Sequence, residues 1–190
     1  MSKNTKLIIS IVIAVALFIA ALLLYSALSE DFDANNMAGN SNTSSNNTNK
    51  DDSQDYSAPD FIVTDSDGSE VTLSQFFSKP IVLNMWASWC SPCKNEMPYF
   101  EEAYKENEDI QFMMVNMTAG DSKKDAKEFI KEEGYTFPVF FDEQGYCQSV
   151  YGATSLPMTI FIDKNGDIVT YAVGALSAEQ LQKGIDLIKE

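Results

Sequence analysis

The sequence predicts an α/β domain built on a mixed β-sheet with helices on both faces, and three observations carry that reading. Two near-continuous apolar runs, "IVLNMWA" (Ile81 to Ala87) and "IQFMMVNM" (Ile110 to Met117), have the composition of strands buried on both sides. Each is followed by a stretch whose apolar residues recur at helical spacing, so strands and helices alternate. The chain then closes on a hairpin signal and one more helix, which makes the sheet mixed rather than purely parallel.

The elements follow in chain order. Leu7 to Leu28 is an uncharged apolar run of 22 residues preceded by Lys3 and Lys6. At about 1.5 Å per residue it can cross a hydrocarbon core about 30 Å thick, and the lysines should keep the N-terminus in the cytoplasm. Residues 1–28 are therefore expected to be a single-pass cell-membrane anchor that places the rest of the chain on the extracytoplasmic side. A cleaved signal peptide is the competing reading, since Ala27 to Ser29 offers a small-residue cleavage site. No cysteine follows the run, which argues against a lipoprotein anchor. Residues 29–58 are Asn, Ser, Thr and Asp with few core-forming side chains, the composition of a disordered tether.

Residues 59–190 are expected to form one folded domain. "FIVTDSDGSEVTL" reads as two short strands joined at Asp67-Gly68, an added N-terminal hairpin. "IVLNMWA" is a buried central strand, and "CKNEMPYFEEAYKENE" a helix. "IQFMMVNM" is the next buried strand, "SKKDAKEFIKEEG" a helix ended by Gly134, "FPVFFD" a short strand or extended segment and "EQGYCQSVYG" a short helix. "MTIFID" and "DIVTYAVG" flank Asn165-Gly166 as a hairpin, and "SAEQLQKGIDLIKE" closes the chain with Ser177 as N-cap and Gln180 in the capping-box position. The turns "DSDG" and "DKNGD" superficially resemble calcium loops but lack the twelfth-position glutamate and flanking helices, so they read as hairpin turns.

Composition removes several classes of function. The basic residues are all Lys, and against 28 acidic side chains the 13 of them leave a formal charge of -15, which repels nucleic-acid backbones. The chain has no histidine. Ser-His-Asp and Cys-His nucleophile systems, H-E-x-x-H zinc sites and C-x-x-C-H haem attachment are thereby excluded.

Cys90 and Cys93, in "MWASWCSPCKNEMPYF", allow a metal clip, a structural crosslink or a redox centre. A structural zinc needs four ligands, and only Cys147 remains to join the pair. A crosslink over so short a loop removes little unfolded-state entropy. The redox reading fits the context best: the pair lies where a buried strand gives way to a helix, with Pro92 suited to the first helical turn. There the helix dipole and unsatisfied N–H groups favour an anionic sulfur, making Cys90 the nucleophile and Cys93 the thiol that resolves the mixed disulfide.

"WCSPCK", the preceding "IVLNMWAS" and the later "SLPMTIFID" together resemble the thioredoxin superfamily. The fuller "LNMWASWCSPCKNEMP" is similar to the exported TlpA/ResA-like thiol-disulfide oxidoreductases, and the likeness runs from about Ala58 to Glu190. The resemblance implies a thioredoxin fold, with Pro157 as the cis-proline facing the active-site disulfide and Leu156 offering backbone contacts to an extended substrate. It also implies that Glu96, which matches the glutamate of C-x-x-C-x-x-E in the ResA-like proteins, lies close to the thiols. Glu96 is one helical turn beyond Cys93, and a partly desolvated carboxyl there could exchange a proton with it. Its rival reading is an ordinary solvated charge of the kind expected for Glu101 and Glu102. Cytoplasmic thioredoxins carry a buried aspartate six residues before the first cysteine; here Asn84 stands in that place and cannot accept the proton. Trp89 is expected to shield the disulfide and meet substrate, Trp86 to lie in the core, and Pro98 to kink the helix. Cys147 matches no catalytic position of the family; a buried free thiol is expected, with an outward regulatory thiol as the alternative.

The expected activity is reduction of disulfides in exported proteins through a Cys90/Cys93 dithiol–disulfide cycle, with no cofactor and no metal. Family resemblance implies a membrane electron donor of the CcdA/DsbD type, with apocytochrome c or a methionine sulfoxide reductase among the compatible substrates, and a monomer. The alternatives are an AhpC/TSA-type peroxidase and a non-catalytic thioredoxin-like binding module. The first is disfavoured by the absence of arginine, the second by the intact C-x-x-C.

Overall fold

The computed structural model describes Ile19 and residues 57–189. Ile19 apart, the expected anchor and the expected linker up to Tyr56 lie outside the described residues. Among the described residues no helix is long and apolar enough to cross a membrane.

Seven strands form one mixed sheet: β1 (Ile62–Thr64), β2 (Glu70–Thr72), β3 (Ile81–Trp86), β4 (Gln111–Asn116), β5 (Val139–Phe141), β6 (Met158–Ile162) and β7 (Ile168–Val173). Their spatial order is β2-β1-β5-β4-β3-β6-β7. The three central strands β3, β4 and β5 run parallel, whereas β6 and β7 on one side and β1 and β2 on the other pair antiparallel. Among the described residues four α-helices pack on the sheet: α1 (Ser91–Glu106), α2 (Lys123–Glu133), α3 (Tyr146–Tyr151) and α4 (Ala178–Lys189). The mixed sheet covered on both faces is thus present, with the added N-terminal hairpin extending one edge.

Strand periodicity explains the two cores. Successive side chains of a strand point to opposite faces, so Ile81, Leu83 and Met85 enter one cluster with Leu73 and Cys147 of α3, while Val82 and Trp86 enter the other. That second cluster also receives Cys93 and Phe100 of α1, Ala126 of α2 and Ile185 of α4. Every β3 residue is buried, as a central strand between two helical layers requires.

Local rules place the helix ends. Ser122 caps α2 by accepting from Asp125 N–H, and Gly134, at φ 72°, ends it with its own N–H donated to Ile130 O. The capping box of α4 is reciprocal: Ser177 Oγ accepts from Gln180 N–H at 3.2 Å while Gln180 Oε1 accepts from Ser177 N–H at 2.9 Å. Pro98 lies inside α1, which runs on to Glu106 without the N–H that would have bonded one turn back. Ordered contacts begin before Pro59: Ser57 bridges Asp167 and buried Ala58 donates its N–H to Gly166 O at 2.8 Å. A backbone bridge needs no apolar side chain, so composition could not have marked it.

Candidate active site

Strand β3 ends at Trp86, and the turn that follows delivers Cys90 to the N-terminus of α1 as its N-cap. Cys90 Sγ accepts from Cys93 N–H at 3.2 Å, in the place where a capping oxygen would normally act. Pro92 occupies the first turn, where its missing N–H costs nothing. The two cysteines form a disulfide. Both cysteines are buried, Cys90 at 4% exposure and Cys93 at 0%, so Cys90 is the more exposed of the two.

One turn on, Glu96 is buried at 1% exposure, not solvated. Burial is the largest influence on its carboxyl, and it prevails over hydrogen bonds from Leu176 and Asn84 to push the pKa from the ordinary 4.5 to about 7. Glu96 Oε2 accepts from Leu176 N–H and Oε1 from Asn84 Nδ2, both at 2.8 Å. Asn84 Nδ2 also donates to Thr159 Oγ1 at 3.0 Å. The register explains the meeting: Asn84 of β3 pairs with Thr159 of β6, and Asn84 lies between Val82 and Trp86 on the face that α1 covers. A carboxyl with a pKa near neutrality, one helical turn beyond Cys93, is suited to giving and taking a proton.

The Leu156-Pro157 peptide is cis. Met158 pairs with Met85 at the end of β3, so Pro157 lies at the same end of the sheet as the turn that carries Cys90. Leu156 is partly buried against both cores. Trp89 is 65% exposed beside Cys90, and its Nε1 donates to Gly120 O at 3.0 Å; it presents an open aromatic face. Trp86 is fully buried against Phe129, as expected of a core residue.

The AhpC/TSA family profile matches residues 55–171, more than half of the chain. The chain belongs to the AhpC/TSA family. Among its relatives, the thiol-disulfide oxidoreductase ResA of Geobacillus kaustophilus is 36% identical over 134 residues, 70% of this chain and 76% of the relative. The exposed lipoprotein thioredoxin Etrx1 of Streptococcus pneumoniae shares 32% identity at a TM-score of 0.60, covering 68% of this chain and 100% of that one. StoA of Bacillus subtilis shares 25% identity at a TM-score of 0.60, covering 68% of this chain and 98% of that one. These likenesses and the Cys90–Cys93 disulfide agree: this AhpC/TSA-family chain is a ResA-like thiol-disulfide oxidoreductase.

Two supports of this AhpC/TSA-family site escaped sequence reasoning. Asp121, in the connection after β4, accepts from Ser88 N–H and Ser88 Oγ, both at 2.6 Å, from Asn116 Nδ2 at 2.7 Å and from Ser122 N–H at 2.8 Å. It thereby ties the turn before Cys90 to the next strand. Burial pulls its carboxyl up, but these bonds outweigh that and hold it below the ordinary value. The second support is Thr159, invisible until the β3–β6 register is known. Glu101 corrects the expectation of a solvated charge: it is buried and accepts from Thr136 N–H, Thr136 Oγ1 and Phe137 N–H, with Lys105 alongside. Those backbone donors come from the segment after α2, which helical spacing alone cannot reveal. Cys147 is a buried free thiol in the core opposite α1, its pKa raised by burial and then by Asp142. The aspartates of the two hairpins bond their own turns, Asp65 to Asp67 and Ser69, Asp163 to Asn165 and Asp167. No cluster of metal ligands occurs among the described residues.

Proposed function

We propose that the chain is a membrane-anchored, extracytoplasmic reductase of disulfides in exported proteins. The observation that supports it best is the Cys90–Cys93 disulfide at a helix N-terminus with the buried carboxyl of Glu96 one turn away. In the dithiol form, Cys90 thiolate attacks a substrate disulfide; one substrate sulfur leaves as thiolate and the other stays bonded to Cys90. Cys93, giving its proton to Glu96, then attacks Cys90 Sγ, forms the enzyme disulfide and expels the second substrate thiolate. The substrate gains the two electrons that the dithiol loses; Glu96 passes the Cys93 proton to one departing thiolate, and the other takes its proton from solvent. Leu156 offers its backbone and Trp89 its ring to an extended substrate, with Pro157 opposite the disulfide.

Return to the dithiol requires two electrons from elsewhere, and a membrane carrier of the CcdA/DsbD type meets that need on the outer side. Apocytochrome c and methionine sulfoxide reductases are compatible substrates, and the enzyme acts as a monomer. The family name also covers peroxidases, but the chain has no arginine to polarise a peroxide.

Direction is tested by equilibrating the full chain, in detergent, against thiol redox buffers. A Cys90–Cys93 potential near that of thioredoxin, about -270 mV, is expected; a value near about -120 mV would make the protein an oxidant and sink the reductase reading.

A further inference from the structure

Glu96 has two hydrogen-bonding partners that differ in what they can become. Leu176 N–H, on Oε2, is a peptide group and can only donate. Asn84, on Oε1, is a carboxamide and can present either its donor or its acceptor by turning through about 180°. A proton taken up by Glu96 is therefore steered to Oε1, because Oε2 must keep a lone pair for Leu176. On Oε1 the new O–H points at a group that, as oriented for the carboxylate, is itself a donor.

Two further features resolve that conflict. Asn84 Oδ1 is fully buried and has no hydrogen-bond partner, an unused acceptor in the same side chain. Thr159 Oγ1 accepts from Asn84 Nδ2 at 3.0 Å, and a hydroxyl can reverse from acceptor to donor. With the amide turned, Oδ1 would take the position now held by Nδ2, accepting from both Glu96 Oε1–H and Thr159 Oγ1–H.

We propose that Asn84 is the positioning residue of the proton site: its carboxamide turns over when Glu96 gains or loses a proton, Thr159 reversing with it, so that both forms of Glu96 stay in one place beside Cys93. The proposal rests on the reading of Glu96 as proton partner of Cys93. The step is a proton transfer only: the Cys93 S–H bond breaks, the Glu96 Oε1–H bond forms, and no electron moves. The groups facing the carboxyl are few. β3 and β6 present Asn84 and Thr159, the β7–α4 connection presents Leu176 N–H, and among the described residues no charged side chain shifts its titration. The titratable neighbours on its own helix are Cys93 and, at the cap, Cys90.

The test uses the oxidised full chain in detergent and side-chain amide NMR, with the Asn84 resonance assigned by its loss in Asn84→Leu. Above the Glu96 titration, at about pH 9 against a midpoint of about 7, the amide protons should show through-space contacts to the Thr159 methyl and the Glu96 methylene. Below it, at about pH 5, those contacts should be lost with the same midpoint. In Glu96→Gln, Leu176 N–H holds the new amide oxygen, so Nε2 faces Asn84 and the contacts should be lost at every pH. Contacts unchanged across pH in the wild type and retained in Glu96→Gln would overturn the turnover of Asn84 while leaving Glu96 as proton partner. A separate readout addresses that underlying reading: the pH profile of Cys93 alkylation in the reduced protein. It should shift upward by about one pH unit in Asn84→Leu, which loses a hydrogen bond to the carboxylate. A profile in Glu96→Gln identical to the wild type would remove the proton role and the positioning role together, whatever the amide does.

Discussion

At the scale of single residues, Glu96 links folding to pH. Its pKa is raised from 4.5 to about 7 by burial, so between those values the folded protein keeps a proton that the unfolded chain releases. The stability this gives is fully present below about 4.5 and is lost as pH rises through about 7, a change of about 3 kcal/mol at 1.36 kcal/mol per pKa unit. Denaturant unfolding of the oxidised protein should show that decline, and Glu96→Gln should abolish it and be the more stable form at pH 8. Parallel pH profiles for the two proteins would count against a buried carboxyl that ionises. The lowered pKa values of Glu101, Asp121 and Asp163 act in a separate, more acidic window and in the opposite sense, their stabilisation being lost as pH falls through the folded values. The cysteine pair and the glutamate were legible because their spacing is local to one helix. Asn84 was legible only as a missing aspartate, since its partners Glu96 and Thr159 come together through sheet register. Glu101 looked like its solvated neighbour Glu102 because nothing in the helix tells which face meets the segment after α2.

Elements carry the next level of control. The turn from β3 to α1 is fixed from outside by Asp121, whose oxygens accept four hydrogen bonds, two of them from Ser88. Asp121→Ala should cost about 2 kcal/mol, as loss of a hydrogen-bonded charged group does, and should speed amide exchange at Ser88 and Ser122. Unchanged exchange at both would show that the turn holds itself. Helix α4 approaches β6 so closely that a Cβ on Gly184 would lie 2.3 Å from Phe161 Cε1 and Cζ. Gly184→Ala therefore should not give the usual helix-propensity gain; overpacking should destabilise the protein by about 1–3 kcal/mol, read as a lower unfolding midpoint. A rise in that midpoint would mean that the α4–β6 contact relaxes freely. Most elements were legible, because apolar runs, Gly134, the Ser177–Gln180 box and the two Gly turns act over a few residues. The pairing of β1 with β5, through Thr64 and Phe141, was not, because it joins residues far apart in sequence by a backbone pattern that leaves no local trace.

For the whole molecule the formal charge of -15 is the dominant long-range property. A field of that sign acts on a partner before any contact forms, raising the encounter rate of cationic substrates and lowering that of anionic ones. The chemical step at Cys90 is short-range and feels it much less. Salt separates the two, because the screening length contracts from about 30 Å at 0.01 M to about 8 Å at 0.15 M. Two synthetic disulfide peptides of equal length, one rich in Lys and one rich in Asp, should therefore be reduced at rates that converge across this range. The Lys-rich peptide should slow, the Asp-rich one should accelerate, and an uncharged peptide should hold steady. If all three respond alike, the acidic surface faces away from the path substrates take to Cys90, and selection among partners falls to the groups at the site itself: the ring of Trp89 and the backbone at Leu156.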